Sequence, residues 1–291
     1  MRFSLLPLFC ASLLLAGCGP TPSVRDDGSA SPDTGKRVLS FRDIQWEQLN
    51  PARGDKSPQA GTLWGDRTGP GAAGFILKPI DGFESPPHIH NVAYRGVVIS
   101  GLLHNDDPPA EKMWMPTGSF WTQPAGGVHI TAAKGNDCLA YIEVEDGFGV
   151  LPANEAFPSG EQPVNVDVGN LVWLDAAETE WVEAPSNGSS DRGAKIAFLW
   201  GEPSVDQLCG AMIKLPAGFE GRIDSRASSL HGVVIQGSVR HRFSGGESPR
   251  LLRPGSLFTS GGPSTHWVMS DSSGETLVYL RVRGAFEVRG N

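Results

Sequence analysis

Three histidines stand at spacings that suit a metal site. His88 and His90 are two residues apart and follow prolines at positions 86 and 87, and His129 follows a Pro-Ala-Gly-Gly turn at positions 124–127. In a β-strand, residues two apart point to the same face, so the first two imidazoles would project together. Three neutral imidazoles with an open coordination position are typical of a catalytic metal site. The alternative is a set of surface or core histidines with ordinary hydrogen bonds.

Tyr94 is the residue near this triad that could take part in chemistry. A phenol with a pKa near 10 is a poor metal ligand unless the ion deprotonates it. We therefore expect its hydroxyl to donate to a metal-bound water, dioxygen or substrate oxygen; the alternative is that Tyr94 only packs. Glu84 and Glu143 are weaker candidates for a fourth ligand, and His104 is assigned to the rim. Four aromatic residues either line a pocket above the metal or form plain core: Trp114, Phe120, Trp121 and Tyr141.

The segments that must position these residues occur twice in the chain. They recur in order at an offset of 136 residues: 63–66 with 199–202, 80–84 with 216–220, and 96–101 with 232–237. His129 matches His266 one residue further apart. An ordered series of this kind indicates a duplication.

Each copy has the pattern of an all-β unit. Short apolar or alternating runs, such as 74–77 and 95–103, lie between Gly, Pro, Asn and Asp turns. Many short strands with turn signals indicate a sandwich or a barrel. We expect two tandem units, at 38–150 and 171–291, joined by a crossover at 151–170.

The spacing around the first two histidines matches a known signature. Gly82, five residues, His88, one residue, His90, three residues, Tyr94, six residues and Gly101 follow one another in order. This run resembles the first motif of the cupin family, with tyrosine in place of the usual glutamate.

The spacing around the third histidine matches the second motif of the same family. Gly118 is followed after five residues by Pro124, then by Gly126 and His129, while Ala133 replaces the usual asparagine. The resemblance implies a jelly-roll barrel with a metal inside. With its duplication the chain is similar to the bicupins, and in particular to a bacterial cupin-like family of unassigned function related to the ChrR-like cupins.

The second copy differs at the positions that carry the chemistry. The same offset places Asp224 at the position of His88 and Arg226 at that of His90, and His266 alone is kept. An arginine cannot give up its proton to bind a metal. We expect no metal in this copy, an ion pair or anion site at Asp224 and Arg226, and a structural role in completing a pseudo-dimer.

The first residues resemble an export signal. Positions 1–17 combine a basic start with an apolar run too short to span a bilayer, and Leu15-Ala16-Gly17-Cys18 resembles a bacterial lipobox. We expect lipidation at Cys18 and a polar tether at 18–37. In a Gram-negative source the protein would then lie on the outer membrane and face the periplasm. The alternative is an ordinary secretory signal.

Charge and cysteine content narrow the list of partners. The net charge is −8, and no Lys/Arg cluster stands out. This balance argues against nucleic acid, so we expect membrane contact through the lipid anchor only. Cys138 and Cys209 are expected to be separate buried thiols, and assembly as a homodimer is left open.

These patterns favour a metal-dependent cupin enzyme that acts on a small organic substrate. Three-histidine cupins resemble the acetylacetone-cleaving and thiol dioxygenases, in which Fe(II) offers open positions to substrate and dioxygen; Zn, Mn or Ni would suit the same ligands. The alternative is a non-catalytic, lipid-tethered cupin that binds a small metabolite or a metal.

Overall fold

The computed structural model describes residues 35–184, 193–204, 206–245 and 248–291, so Cys18 and the predicted signal lie outside the described residues. Strands dominate the described chain, together with four short 3₁₀ segments: Phe41–Asp43, Pro51–Lys56, Ala153–Glu155 and Val168–Asn170. In these residue ranges no helix is long and apolar enough to cross a membrane.

The strands divide evenly between the two copies. In and before the first copy they are β1 (Arg37–Leu39), β2 (Glu47–Gln48), β3 (Gln59–Trp64), β4 (Ala73–Lys78), β5 (His88–His90), β6 (Tyr94–Asp106), β7 (Phe120–Gln123), β8 (Ile130–Val144), β9 (Val150–Pro152) and β10 (Val164–Val166). In the second copy they are β11 (Lys195–Gly201), β12 (Leu208–Leu215), β13 (Glu220–Ser225), β14 (Ser229–Gln236), β15 (Val239–Phe243), β16 (Arg250–Leu252), β17 (Leu257–Gly261), β18 (Ser264–Ser270), β19 (Thr276–Arg283) and β20 (Phe286–Gly290).

These strands form two antiparallel barrels. The first consists of a seven-stranded sheet in the order β10-β7-β6-β8-β4-β3-β2 and a two-stranded sheet β5-β9. The second consists of a six-stranded sheet, β1-β17-β14-β19-β12-β11, and a five-stranded sheet, β16-β15-β18-β13-β20. The long paired strands β6 and β8 of the first copy each correspond to two strands of the second, β6 to β14 and β15 and β8 to β18 and β19. Two tandem cupin jelly rolls, as predicted, are confirmed.

Each barrel takes an edge strand from the segment that precedes the other copy. Strand β1 pairs with β17 of the second barrel, and β10 pairs with β7 of the first. Separating the barrels would break both sets of backbone hydrogen bonds. The freed N–H and C=O groups would then have to form hydrogen bonds with water. The exchange therefore ties the two copies into one unit.

A continuous apolar cluster joins the two barrels and confirms the pseudo-dimer. It contains Ile76, Val97 and Phe120 from the first copy and Met212, Val233 and Leu257 from the second. At its centre, the buried carboxylate of Glu143 accepts hydrogen bonds from the hydroxyls of Tyr141 (3.1 Å) and Tyr279 (2.9 Å). Arg281, from the equivalent strand of the second copy, forms an ion pair with the same carboxylate, with Nη1 lying 3.3 Å from Oε1. A buried charge with this many partners is compensated for its lost hydration.

The two cysteines in the described residues are separate thiols, as expected. Cys138 and Cys209 are both buried and free. Burial raises the pKa of both thiols, that of Cys209 to about 11. Both therefore behave as small apolar core residues at neutral pH.

Candidate metal centre

Backbone pairing brings the three predicted histidines together at one end of the first barrel. His88 and His90 belong to β5, where they share a face. His129, one residue before β8, forms a β-bridge with His88, in which each backbone N–H donates to the carbonyl of the other residue (3.1 and 3.0 Å). The bridge holds the third imidazole opposite the first two.

The imidazoles converge closely enough to share one ion. One ligand nitrogen from each of the three lies within 4.8 Å of the others. The ring centroids are 4.3 Å apart for His88 and His129 and 5.1 Å apart for His90 and His129. Phe148 stacks on the ring of His90 at 4.2 Å, which restricts its rotation.

Each imidazole donates its Nδ1 proton to a backbone carbonyl. Nδ1 of His88 lies 2.9 Å from the carbonyl of residue 86, that of His90 lies 2.8 Å from that of residue 149, and that of His129 lies 3.1 Å from that of residue 127. Because a carbonyl can only accept, each neutral ring keeps its lone pair on Nε2. Such backbone contacts orient metal-binding histidines. The donor set therefore fits a divalent ion of the kind that binds imidazole.

Burial keeps all three rings neutral. It lowers the pKa of His88, lowers that of His90 well below its ordinary value and lowers that of His129 to about 3. Mutual repulsion between the protonated forms adds to the effect at His90 and His129. The rings therefore need to lose no proton before they bind a metal at neutral pH.

Tyr94 lies beside the triad, but its proton points elsewhere. The hydroxyl oxygen is 3.4 Å from Nε2 of His129, and the hydroxyl donates to Oδ1 of Asn105 at 2.7 Å. The Thr131 hydroxyl also donates to Oδ1 of Asn105, at 2.8 Å. Burial raises the pKa of Tyr94, so the group is a neutral phenol. Its donation to an oxygen at the metal, expected from the sequence, would require the proton to leave Asn105.

A buried amide chain links Tyr94 to the third histidine, and the sequence analysis missed it. Nδ2 of Asn105 donates to Oε1 of Gln123 (3.0 Å), and Nε2 of Gln123 donates to the carbonyl of Gly127 (3.1 Å). The same carbonyl accepts the Nδ1 proton of His129. The alternation of β6 and β7 was the one available signal, because it places both amides on the interior face.

A small apolar cavity of about 150 Å³ opens onto the triad. Its walls include Leu49, Phe75, Leu77, Phe83, Trp121 and Phe148. The polar groups at its edge include His88, His90, Tyr94 and Arg53. The volume is below that of most pockets for drug-sized ligands, so the cavity suits a small molecule.

Trp121 can form a wall of this cavity because the strand beside it carries glycine. A Cβ atom on Gly96 would lie 2.2 Å from the Trp121 ring, closer than any real contact. The second copy repeats the arrangement with Gly232 and Phe258. Of the four aromatic residues proposed from the sequence, Trp121 alone lines the cavity.

The other three aromatic residues and the spare ligands lie elsewhere. Phe120 and Tyr141 pack between the barrels, whereas Trp114 is half-buried near His104. Glu84 forms an ion pair with a lysine on the outer face of the barrel, and Glu143 is enclosed between the barrels. Neither carboxylate belongs to the group of ligand atoms, so the prediction of a fourth ligand at these positions is wrong.

The positions predicted for a degenerate second site require a correction. In the second barrel the residue opposite His266 is Ile223, as His88 is opposite His129 in the first. The first copy has one more residue than the second before β5, around Pro86. The offset between the copies is therefore 135 residues at His88 and not 136. Asp224 therefore lies on the outer side of β13, where it pairs with Arg222 at 2.8 Å.

Arg226 is exposed and is not the partner of Asp224. The interior of this barrel holds a pair of histidines instead, in which Nε2 of His241 lies 3.0 Å from Nδ1 of His266. Nε2 of His266 lies 3.0 Å from the Ser260 hydroxyl. His241 was missed because its counterpart in the first copy, Asn105, is not a histidine.

Comparisons with known proteins agree with this fold. No curated protein matches the chain in sequence. Among solved structures, a protein from Nostoc punctiforme described as a "putative dioxygenase" is similar with a TM-score of 0.62 and 15% identity over 87% of this chain and 84% of that one. An 11S globulin from Wrightia tinctoria, described with an auxin binding site, has a TM-score of 0.54 and 11% identity over 89% and 88%. The oxalate decarboxylase of Lactobacillus farciminis has a TM-score of 0.51 and 12% identity over 86% and 87%.

Identities this low show a shared fold and nothing more about activity. The sequence itself matches one family model over residues 37–289, which includes both barrels. The chain therefore belongs to the family described as domain of unknown function DUF4437.

Proposed function

We propose that this protein is a metal-dependent enzyme whose histidine triad acts on a small organic molecule held in the adjoining cavity. One observation carries the proposal: three neutral imidazoles converge, each with its Nδ1 proton donated to a backbone carbonyl, and two of them, His88 and His90, line an apolar cavity. Ligands oriented in this way, with open coordination positions beside a substrate-sized space, are typical of catalytic metal sites.

The triad, the apolar walls and Asn105 would each have a separate role in such an enzyme. A divalent ion on His88, His90 and His129 would supply Lewis-acid chemistry or, in the case of Fe(II), redox chemistry. The apolar walls exclude water, which strengthens electrostatic interactions within the cavity. Asn105 holds the Tyr94 hydroxyl at a constant position next to the triad.

More specifically, we propose that the enzyme is a dioxygenase with Fe(II) at the triad. An all-imidazole donor set with open positions suits Fe(II), and the similar Nostoc protein is described as a "putative dioxygenase". The same donor set also suits Zn, Mn or Ni, for which hydrolase or isomerase chemistry would be expected.

A non-catalytic binding protein is the second candidate, and one feature of the cavity favours it. No carboxylate lines the cavity among the described residues, and the Tyr94 proton is already donated to Asn105. A site without a free proton donor or acceptor suits capture of a ligand better than acid–base turnover. The similar 11S globulin is described with an auxin binding site, so this fold can hold a small organic molecule.

Metal analysis tests the centre that both candidates need. Protein purified without chelator, or reconstituted with Fe(II), Zn, Mn or Ni, should hold about one ion per chain. The double change His88→Ala, His129→Ala should abolish binding, while His266→Ala in the second barrel serves as the matched control and should leave it intact. A chain that binds none of these metals refutes the site.

Turnover separates the enzyme from the binding protein. Oxygen uptake with a panel of β-dicarbonyls and thiols tests the dioxygenase form, and loss of substrate without oxygen uptake would indicate hydrolase or isomerase chemistry instead. If Tyr94→Phe preserves every activity found, the hydroxyl has no chemical role. Binding of ligands without turnover would favour the second candidate.

Export and anchoring form a separate proposal that rests on the sequence. The lipobox-like segment that ends at Cys18 supports a lipid-anchored protein, facing the periplasm from the outer membrane in a Gram-negative source. We also propose, from the sequence, a relation to the ChrR-like cupins and assembly as a homodimer. Nothing in this part of the proposal affects the metal centre.

A further inference from the structure

One wall of the cavity carries a cation that the proposed metal chemistry does not use. The 3₁₀ segment Pro51–Lys56 and its flanks contribute Leu49, Asn50, Arg53 and Pro58 to the lining. Among the lining residues only Arg53 has a permanent charge, and neither Asp nor Glu is present there. The cavity is therefore an apolar space with positive charge at its edge.

Arg53 differs from Arg67 and Arg281 because it has no acidic partner among the residues that the structure describes. Arg67 pairs with Glu47 at 2.6 Å, and Arg281 pairs with Glu145 at 2.7 Å. Within the described residues, no carboxylate lies within ion-pair distance of the Arg53 guanidinium, which instead lies 5.2 Å from the ring centroid of Phe83. A guanidinium against an aromatic face keeps its N–H groups available at its edge.

Backbone hydrogen bonds fix the segment that carries this arginine. The N–H of Arg53 donates to the carbonyl of Asn50 at 3.0 Å, and the Asn50 side chain accepts from the N–H of Ala52 at 3.1 Å. The chain turns sharply at the next residue, Gly54, where φ is +54°, a value that favours glycine. Because this backbone is already ordered, binding of a ligand has only the side chain left to order.

We propose that Arg53 is the substrate-carboxylate receptor of this cavity, and that the ligand is a small monocarboxylate with an apolar body. The inference rests on the proposed function, because the cavity that would hold the apolar body is the one that opens onto the metal centre. A planar guanidinium matches a carboxylate with two parallel hydrogen bonds. The apolar walls strengthen that attraction, and no other permanently charged side chain of the described chain lines the cavity, so the metal is the competitor for the anion that the test must separate from Arg53.

The test compares an acid with its neutral isostere. The Zn-loaded protein is titrated by calorimetry with 3-methylbutanoate and with 3-methylbutanamide, in the native chain and in Arg53→Gln, Arg53→Lys and Arg42→Gln. Arg42 is a matched control because its side chain is largely exposed and pairs with its neighbour Asp43. Zinc content and thermal unfolding are measured for every variant to show that each is folded and loaded.

The native chain should prefer the acid. Arg53→Gln should weaken binding of the acid by about ten- to a hundredfold, the range for hydrogen bonds to charged groups, and leave the amide unchanged within about twofold. Arg53→Lys should retain part of the preference for the acid over the amide. Arg42→Gln should retain all of it.

Three results would overturn the inference: binding of neither probe, equal binding of acid and amide, or an acid preference that survives Arg53→Gln and vanishes when zinc is removed. The last would assign the carboxylate to the metal and leave the proposed function standing. A chain that binds none of Zn, Fe(II), Mn and Ni refutes the proposed function instead, and the titration of the metal-free protein then still decides the role of Arg53.

Discussion

Acid should destabilise this protein through histidines that lie outside the metal centre. His231 is buried, stacks on Trp64 at 4.2 Å and lies 3.1 Å from the Thr259 hydroxyl through Nδ1. Burial, together with the nearby cations of Arg281 and Arg37, lowers its pKa to about 3. Burial lowers the pKa of other histidines in this barrel in the same direction.

The sign and size follow from proton linkage. In the unfolded chain a histidine has a pKa near 6.5, so between pH 6.5 and pH 3 the unfolded state binds a proton that folded His231 does not. Stability is therefore retained above pH 6.5 and lost as the pH falls below it. Between pH 7 and pH 5 the loss from this one residue amounts to about 2 kcal/mol, out of a total stability of roughly 5–15 kcal/mol.

Urea unfolding at pH 7 and pH 5, followed by tryptophan fluorescence, measures this loss. His231→Phe keeps a ring against Trp64 and removes the titrating group, so its unfolding free energy should fall with acid by about 2 kcal/mol less than that of the native chain. Thr259→Val is the control: it removes the hydrogen-bond partner, should cost about 1 kcal/mol and should keep the native dependence on pH. Equal acid dependence in His231→Phe and the native chain would refute the reasoning.

Other predictions address the cavity and the anchor. Gln123→Leu removes the amide that holds the carbonyl partner of the third histidine, so metal affinity in a chelator competition should fall by about 10- to 100-fold; unchanged affinity would mean that the amide chain only packs. Gly96→Ala should cost about 1–3 kcal/mol in thermal unfolding because its Cβ would overlap the ring of Trp121, whereas Gly274→Ala, with open space around it, should be neutral. Cys18→Ser should move the protein from the membrane to the soluble fraction, and a variant that still sediments with membranes would contradict the lipid anchor.

Sequence patterns were enough to predict the fold and the triad. The alternation of strands and the shared face of His88 and His90 follow from a two-residue period, the repeat follows from segments 136 residues apart, and His129 was supported by the resemblance to the second cupin motif. The register of strand β13 was harder to predict, because one extra residue near Pro86 in the first copy moves the side chains of β5 to the other face relative to the repeat. That local shift misplaced Asp224, whereas His241 was missed because its counterpart in the first copy is Asn105.

The sequence alone determined that the chain is a duplicated all-β protein with a candidate metal centre in its first copy. Hydrophobic periodicity and motif spacing contain that information, since strand geometry is local. The tertiary structure alone decided where the Tyr94 proton goes, that Glu143 serves the interface between barrels and not the metal, and that Arg53 faces the cavity with no acidic partner in the described part of the chain. Each of these depends on which distant strands meet and in what register, and packing of the whole chain sets both.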